Sequence, residues 1–240
     1  MKSLDLFAGI GGFVLASEWL GIETSQMVEI NPYCQKVLKK HFPEIPIHSD
    51  IKDYEPVAGV FDLIAGGSPC QDLSVCGKRK GIIDGDRSSL WFEMLRIINA
   101  AQPRFVVWEN VRGSHSSGGL QVVCECLYRS GYRFDAEIIS AAEVGAHHQR
   151  ERIFVVAYSY SVQQSIRGKV LCPWAKQIGD HIKEVRAIGC CEKPQPSIRR
   201  VVNGVSDRLH RGRALGNSVM PNMAAIALKR VLYLNQLQNE

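Results

Sequence analysis

An α/β fold, with a doubly wound and mostly parallel sheet, is what this sequence predicts, and three observations predict it. Short apolar runs alternate with segments of helical period from Ser3 to Tyr158. A glycine-rich turn, Gly9-Ile10-Gly11-Gly12, joins the first apolar run to the first helix. Glu29, Asp50 and Glu109 each come at the end of an apolar run, at the edge where open α/β sheets bind ligands.

The elements follow in order. Residues 3–7 read as a short buried strand, and Phe13 to Leu20 as a helix with Phe13, Ala16 and Leu20 on one face, ended by Gly21. Residues 26–30 are a second strand. Pro32 opens a helix to His41, since proline suits the first helical turn. Residues 47–51 and 60–65 are the next strands, and a long polar loop leads to a helix at 86–100. A strand at 104–108, a helix at 119–130 and strands at 134–139 and 152–157 complete the alternation. Residues 159–197 have no sustained period, three cysteines and three prolines, and are expected to form a small irregular region. A final helix is expected from about Asn222 to Leu234, introduced by Asn217-Ser218-Val219-Met220-Pro221. The expected organisation is therefore an α/β domain at 1–158, a short variable region at 159–197, and a segment at 198–240 that returns to the first domain.

Composition narrows the function classes. At 45% hydrophobic and 22% charged residues, the 240-residue chain is an ordinary globular sequence. It has no run of 18 apolar residues and no apolar stretch of signal-peptide type at its start, so an intracellular setting is expected. The eight cysteines lack paired zinc-site spacing, and neither a metal nor a disulfide framework is expected. Residues 161–240 hold 13 Lys+Arg against 5 Asp+Glu, whereas residues 1–70 hold 5 against 9. One basic face for a polyanion follows.

The sharpest chemical signal is Gly66-Gly67-Ser68-Pro69-Cys70-Gln71. A thiol on a glycine turn at a strand end is a candidate nucleophile rather than core filling. Glu109, Arg150 and Arg152 follow at other strand ends; buried, the carboxyl would keep its proton, and the arginines would favour a thiolate. The glycine turn with Glu29 and Asp50 suits an adenosine ligand. A dinucleotide oxidoreductase is the competing reading, but its third glycine is replaced by Val14.

Asp5-Leu6-Phe7-Ala8-Gly9-Ile10-Gly11-Gly12-Phe13, Gly67-Ser68-Pro69-Cys70-Gln71, Glu109-Asn110-Val111, Gln149-Arg150-Glu151-Arg152 and Gly216-Asn217-Ser218 resemble, in order, the motifs of the DNA cytosine-5 methyltransferase family, in its compact bacterial and phage style. The resemblance runs from residue 3 to about 228. It implies a Rossmann-like fold that binds S-adenosylmethionine. Phe7 would stack on adenine, Glu29 would hold the ribose, and Asp50 and Ile51 would flank the adenine. Ala8, Gly9, Ile10, Gly12, Ile30, Pro69, Leu90, Asn217 and Ser218 would complete that pocket. Cys70 would attack carbon 6 of a cytosine turned out of the duplex. Glu109 would donate to ring nitrogen 3, Arg152 would hold the carbonyl oxygen, Arg150 would support that network, and Asn110 would fix the local backbone. Double-stranded DNA is the implied partner, and a monomer is expected, with room for a partner in target recognition.

The loop after the nucleophile carries Gln71, Ser74, Lys78, Arg79 and Arg87, and is expected to close on DNA as a lid. Arg199, Arg200 and Arg211 are expected to track phosphates. At about forty residues, the 159–197 interval is shorter than target-recognition domains usual in the family. The resemblance implies a bacterial or phage-infected cell, a cytoplasmic and nucleoid-associated location, and a place in restriction-modification. An RNA cytosine methyltransferase and a catalytically silent DNA-binding regulator are the alternatives. The presence of Cys70, Glu109 and both arginines argues against the silent one.

Overall fold

The computed structural model describes residues 1–69, 89–187, 214 and 217–239. Seven strands, β1 (Lys2–Leu6), β2 (Glu23–Val28), β3 (Ile47–His48), β4 (Leu63–Gly66), β5 (Phe105–Val111), β6 (Arg133–Ser140) and β7 (Glu151–Tyr158), form one sheet in the order β3-β2-β1-β4-β5-β7-β6. The pairs from β3 to β5 are parallel, and β7 runs antiparallel to both β5 and β6. The chain winds outward from β1 to β3 and then returns to β4 on the other side of β1. That reversal makes a crevice at the carboxyl ends of β1 and β4, the usual ligand site of such sheets.

The helices are α1 (Gly12–Trp19), α2 (Pro32–His41), α3 (Ser89–Ala101), α4 (Gly113–Ser116), α5 (Gly119–Arg129), α6 (Tyr160–Ser165), α7 (Trp174–Ala187) and α8 (Pro221–Asn239). Local chemistry sets their ends. The Asn31 side chain accepts from the backbone N–H groups of Tyr33 and Cys34, with Pro32 directly inside α2. Gly118 enters α5 at φ +83°, a left-handed conformation that costs a glycine little.

Strand periodicity sorts the core onto two faces. Leu63, Ala65, Phe105, Val107, Phe154 and Val156 point toward α1, α6, α7 and α8. Their alternates Ile64, Val106, Trp108, Ile153, Val155 and Ala157 point toward α3 and α5. Met27, Leu38 and Val14 close a smaller cluster beneath α2. Each such aliphatic or aromatic side chain contributes about 1.5–3 kcal/mol when fully buried.

Two features differ from the sequence expectation. The third strand is only Ile47–His48, so Asp50 lies beyond the ladder rather than on it. Residues 160–187 are not irregular: they form α6 and α7, whose Val162, Trp174 and Val185 are buried against the face that α8 covers. α8 buries Asn222 through Leu228 without a break, which explains why helical amphipathicity barely marks it in the sequence. No helix among the described residues is long and apolar enough to cross a membrane.

Candidate active and cofactor site

The turn after β1 is built by three left-handed residues before the helix, Phe7, Gly9 and Gly11. Phe7 has φ +57°, where a bulky side chain is uncommon, and Gly9 has φ +57° as well. The strain at Phe7 lifts the backbone out of the strand direction. The turn is then fastened to the next strand, with Ala8 N–H donating to Val28 O at 3.1 Å and Gly9 N–H donating to Glu29 Oε2 at 2.7 Å. Glu29 Oε1 accepts from Asn31 N–H at 2.7 Å. Glu29 is thus a brace for the turn, with acceptor capacity left for a ligand hydroxyl. Burial raises its carboxyl pKa, while the N–H groups of Asn31, Gly9 and Ile30 pull it back down.

Asp5 lies one strand inward and has no such relief. It is buried, and neither carboxylate oxygen has a hydrogen-bond partner among the described residues. Burial first, and the charge of Glu29 second, hold its carboxyl well above the usual range. Beside these carboxylates Ile30 is 67% exposed, an apolar surface without cover at a strand end. Asp50 accepts from Lys52 N–H through Oδ1 at 3.0 Å, and Ile51 is buried against the α3 face. Phe7 and Leu90 pack partly buried against that same cluster. Two buried acids, an exposed isoleucine and a strained phenylalanine fit a cationic ligand with a flat aromatic end, which is what S-adenosylmethionine offers.

The second half of the site lies where β4 and β5 end. Glu109 is buried on β5, and Arg152 sits across the antiparallel pair on β7. Arg152 Nε lies 2.8 Å from Glu109 Oε1, a close ion pair between two largely buried side chains. Burial pushes the Glu109 carboxyl up to about 7, against the opposing pull of Arg152 and Arg150. Desolvation therefore outweighs two nearby cations, and the group is about half protonated near neutrality.

Gly67 is fitted to this carboxyl. A Cβ at Gly67 would stand 2.6 Å from Glu109 Oε2, so only glycine admits the acid there. Ser68 is tied down on both sides. Its hydroxyl accepts from Trp108 Nε1 at 3.0 Å, and its carbonyl accepts from Asn110 Nδ2 at 3.0 Å. Asn110 Oδ1 in turn accepts from Val111 N–H at 2.8 Å. The chain leading into Pro69 and Cys70 is thereby fixed to β5 two residues before the cysteine.

The far end of the chain closes the crevice. Arg150 Nη2 donates to Ser218 O at 2.6 Å, joining β7 to the segment before α8. A side chain at Gly12 would collide with the Val219 carbonyl, so the glycine turn admits that segment only because position 12 has no Cβ. An open cleft of about 620 Å³ is lined by Ile10, Gly12, His41, His148, Arg150 and Ser218, among others.

Of the expected site residues, the structure brings Phe7, Ala8, Gly9, Glu29 and Ile30 together at the ends of β1 and β2, and Pro69, Glu109 and Arg152 at the ends of β4, β5 and β7. Arg150 Nη2 donates to Ser218 O, and its positive charge also acts on the Glu109 carboxyl. Asn217 is exposed. Cys70, Gln71, Ser74, Lys78, Arg79, Arg87, Arg199, Arg200 and Arg211 lie outside the described residues. Sequence reasoning gave Asp5 no role, although a charged residue inside the apolar run Leu4-Asp5-Leu6 was a signal in plain view.

Fold and site together define an α/β protein with an adenosyl-type crevice beside a buried acid and two arginines. The chain belongs to the C-5 cytosine-specific DNA methylase family, whose sequence pattern matches residues 1–188. Type II methyltransferase M.HhaI of Haemophilus parahaemolyticus is 35% identical over 161 residues, covering 66% of this chain and 49% of that protein. Orphan methyltransferase M.SPRI of Bacillus phage SPR is 33% identical over 168 residues, covering 65% and 37%. The matched stretch spans about half the length of the first two curated relatives. Among solved structures, Entamoeba histolytica methyltransferase EhMeth has a TM-score of 0.64 at 17% identity, covering 98% of this chain and 97% of that one. S. pombe Dnmt2 methyltransferase has a TM-score of 0.57 at 21% identity, covering 82% and 57%. At these identities the likeness speaks for the fold, a methyltransferase-type Rossmann-like sheet.

Proposed function

We propose that this chain transfers a methyl group from S-adenosylmethionine to carbon 5 of a cytosine in DNA, through a covalent adduct with Cys70. The observation that carries the reading is Glu109, a buried carboxyl raised to about 7 beside Arg152, one strand away from the turn that leads into Cys70. Carbon 5 of cytosine is a weak nucleophile in an aromatic ring. A thiolate that bonds to carbon 6 breaks the aromaticity and makes carbon 5 enamine-like. The protonated Glu109 donates to ring nitrogen 3 as negative charge develops there, and Arg152 holds the carbonyl oxygen. Bound S-adenosylmethionine supplies the electrophilic methyl group. Loss of the proton on carbon 5 then expels the thiolate and restores the ring.

A stacked cytosine cannot reach such a site, so the base is turned out of the duplex before attack. Asp5 and Glu29 favour the cationic cofactor, Phe7 and Ile30 its apolar base, and the Val219 segment seated on Gly12 covers it. The target sequence is read by other parts of the chain or by a partner. The test is transfer of a tritiated methyl group to duplex DNA and, separately, to tRNA, with bisulfite mapping of the product. Label on duplex cytosine that disappears in Cys70→Ser supports the reading. Undiminished transfer by Cys70→Ser, or failure to trap a DNA carrying 5-fluorocytosine at the mapped site, rejects the mechanism.

A further inference from the structure

We propose that Arg96, on α3, is a positioning residue for the adenine end of the cofactor pocket, an inference that rests on the function proposed above. Little backbone pairing holds the chain beyond β3. That strand is the edge of the sheet and pairs through two residues, Ile47 and His48. Asp50 and Ile51 follow directly, outside any ladder, yet they are the residues assigned to the adenine.

The loop is held from the side by one guanidinium. Arg96 Nη2 faces three backbone carbonyls, those of Ile51 at 2.9 Å, Tyr54 at 3.1 Å and Lys52 at 3.4 Å. Nη1 donates to Glu55 Oε1 at 2.9 Å, and Nε to Glu93 Oε2 at 2.7 Å. Three carbonyl oxygens turned toward one point repel each other unless a cation with several donors sits among them. The loop conformation that presents Asp50 and Ile51 is thus conditional on the cation.

Ile51 and Tyr54 also pack against the apolar α3 cluster, and Gln35 Nε2 of α2 donates to Ser49 Oγ at 3.3 Å; the remaining polar ties in the loop are local. Asp50 Oδ1 accepts from Lys52 N–H, and His48 Nε2 lies 2.6 Å from Asp53 Oδ1. The His48 and Tyr54 rings are 5.2 Å apart. These shape the loop but do not attach it to the helical layer. Arg96 does attach it, and Glu93 one turn earlier orients the guanidinium. Lysine at this position would keep the charge but lose the planar fork that spans Nε, Nη1 and Nη2.

The experiment uses the full chain with Arg96→Ala, Arg96→Gln and Arg96→Lys. Calorimetry measures affinity for S-adenosylhomocysteine and for adenosine. Steady-state assays give KM for S-adenosylmethionine, KM for DNA, and kcat. Losing several charge-assisted bonds at the loop weakens both ligands on the order of 10- to 100-fold in Arg96→Ala and Arg96→Gln, with a smaller loss in Arg96→Lys. KM for S-adenosylmethionine rises by the same factor. The values of kcat at saturation and KM for DNA stay within about twofold, a split that general destabilisation would not produce. Arg96→Lys and Arg96→Gln keep the side-chain stem and carry the test where Arg96→Ala is unfolded. Wild-type affinity in a folded Arg96→Gln variant, or a fall in kcat with KM unchanged, overturns the inference alone. A wild-type protein that binds no S-adenosylhomocysteine overturns the parent reading and this one with it.

Discussion

Glu109→Gln separates proton binding from shape, because glutamine matches the size of the acid but has no proton to release. The folded carboxyl titrates near 7 and the unfolded one near 4.5. The folded state therefore holds its proton more tightly. Stability from this group is fully present below pH 4.5 and is lost progressively as pH rises from there through about 7. The displacement from 4.5 to about 7 corresponds to about 3 kcal/mol. Asp5 and Glu29 also have raised carboxyl pKa values, but they titrate in both proteins and cancel in the comparison. Urea unfolding at pH 5, 6, 7 and 8 should show the variant gaining on the wild type by about 2.5 kcal/mol across the series, since part of the total is already lost by pH 5, and most of the gain should fall below pH 7.5. Methyl transfer should fall roughly 100-fold or more in the variant, since an amide cannot pass a proton to a developing charge. Stability differences that stay parallel across the pH series would refute the buried-acid argument. So would a variant with wild-type kcat.

Two further changes probe the scaffold. In Gly67→Ala the new methyl group stands within 2.6 Å of the Glu109 carboxylate; kcat should drop on the order of 10- to 100-fold through displacement of the acid, with affinity for S-adenosylhomocysteine within about twofold, and an unchanged kcat would rule out the close fit. Arg230 on α8 is fully buried and donates to Asp135 from both Nε and Nη2, at 3.0 and 2.8 Å, and to Cys172 O and Gln177 Oε1. Arg230→Met should cost about 3–5 kcal/mol in urea unfolding, because it strands the Asp135 charge, and Asp135→Leu in the same chain should recover part of that; a loss under about 1 kcal/mol would show that the pair is not a tie.

What the sequence made legible was local. The alternation of period 2 and period 3.6 located β1, α1, α2, β5, α5, β6 and β7 to within a few residues, because each buries one face or both against a layer. Glu29 and Glu109 were readable for a similar reason: a charge directly after an apolar run must end at a sheet edge. What the sequence hid was set by partners distant in the chain. Nothing near Arg230 announces that it is fully buried, since its partner Asp135 is 95 residues away. α7 is different: Trp174, Ile178, Ile182 and Val185 recur at helical spacing on its packed face, a local signal that the reading of 159–197 as irregular overlooked. Arg96 looked like an ordinary helix charge, because the carbonyls it gathers belong to a loop more than forty residues earlier.

The carboxyl groups at the carboxyl edge of the sheet fall into two kinds. Burial raises the Glu109 carboxyl to about 7 against the pull of the cations built in beside it, Arg152 and Arg150. Asp5 is raised by burial and has a second carboxylate, Glu29, beside it. A free protein is less stable for keeping two acids so close in a buried place. In the function proposed above, a positively charged ligand entering the crevice offsets that cost. The division of labour follows from position alone: β1 and β2 end where the sheet reverses and a ligand enters, whereas β5 ends against β7, which brings its own arginines.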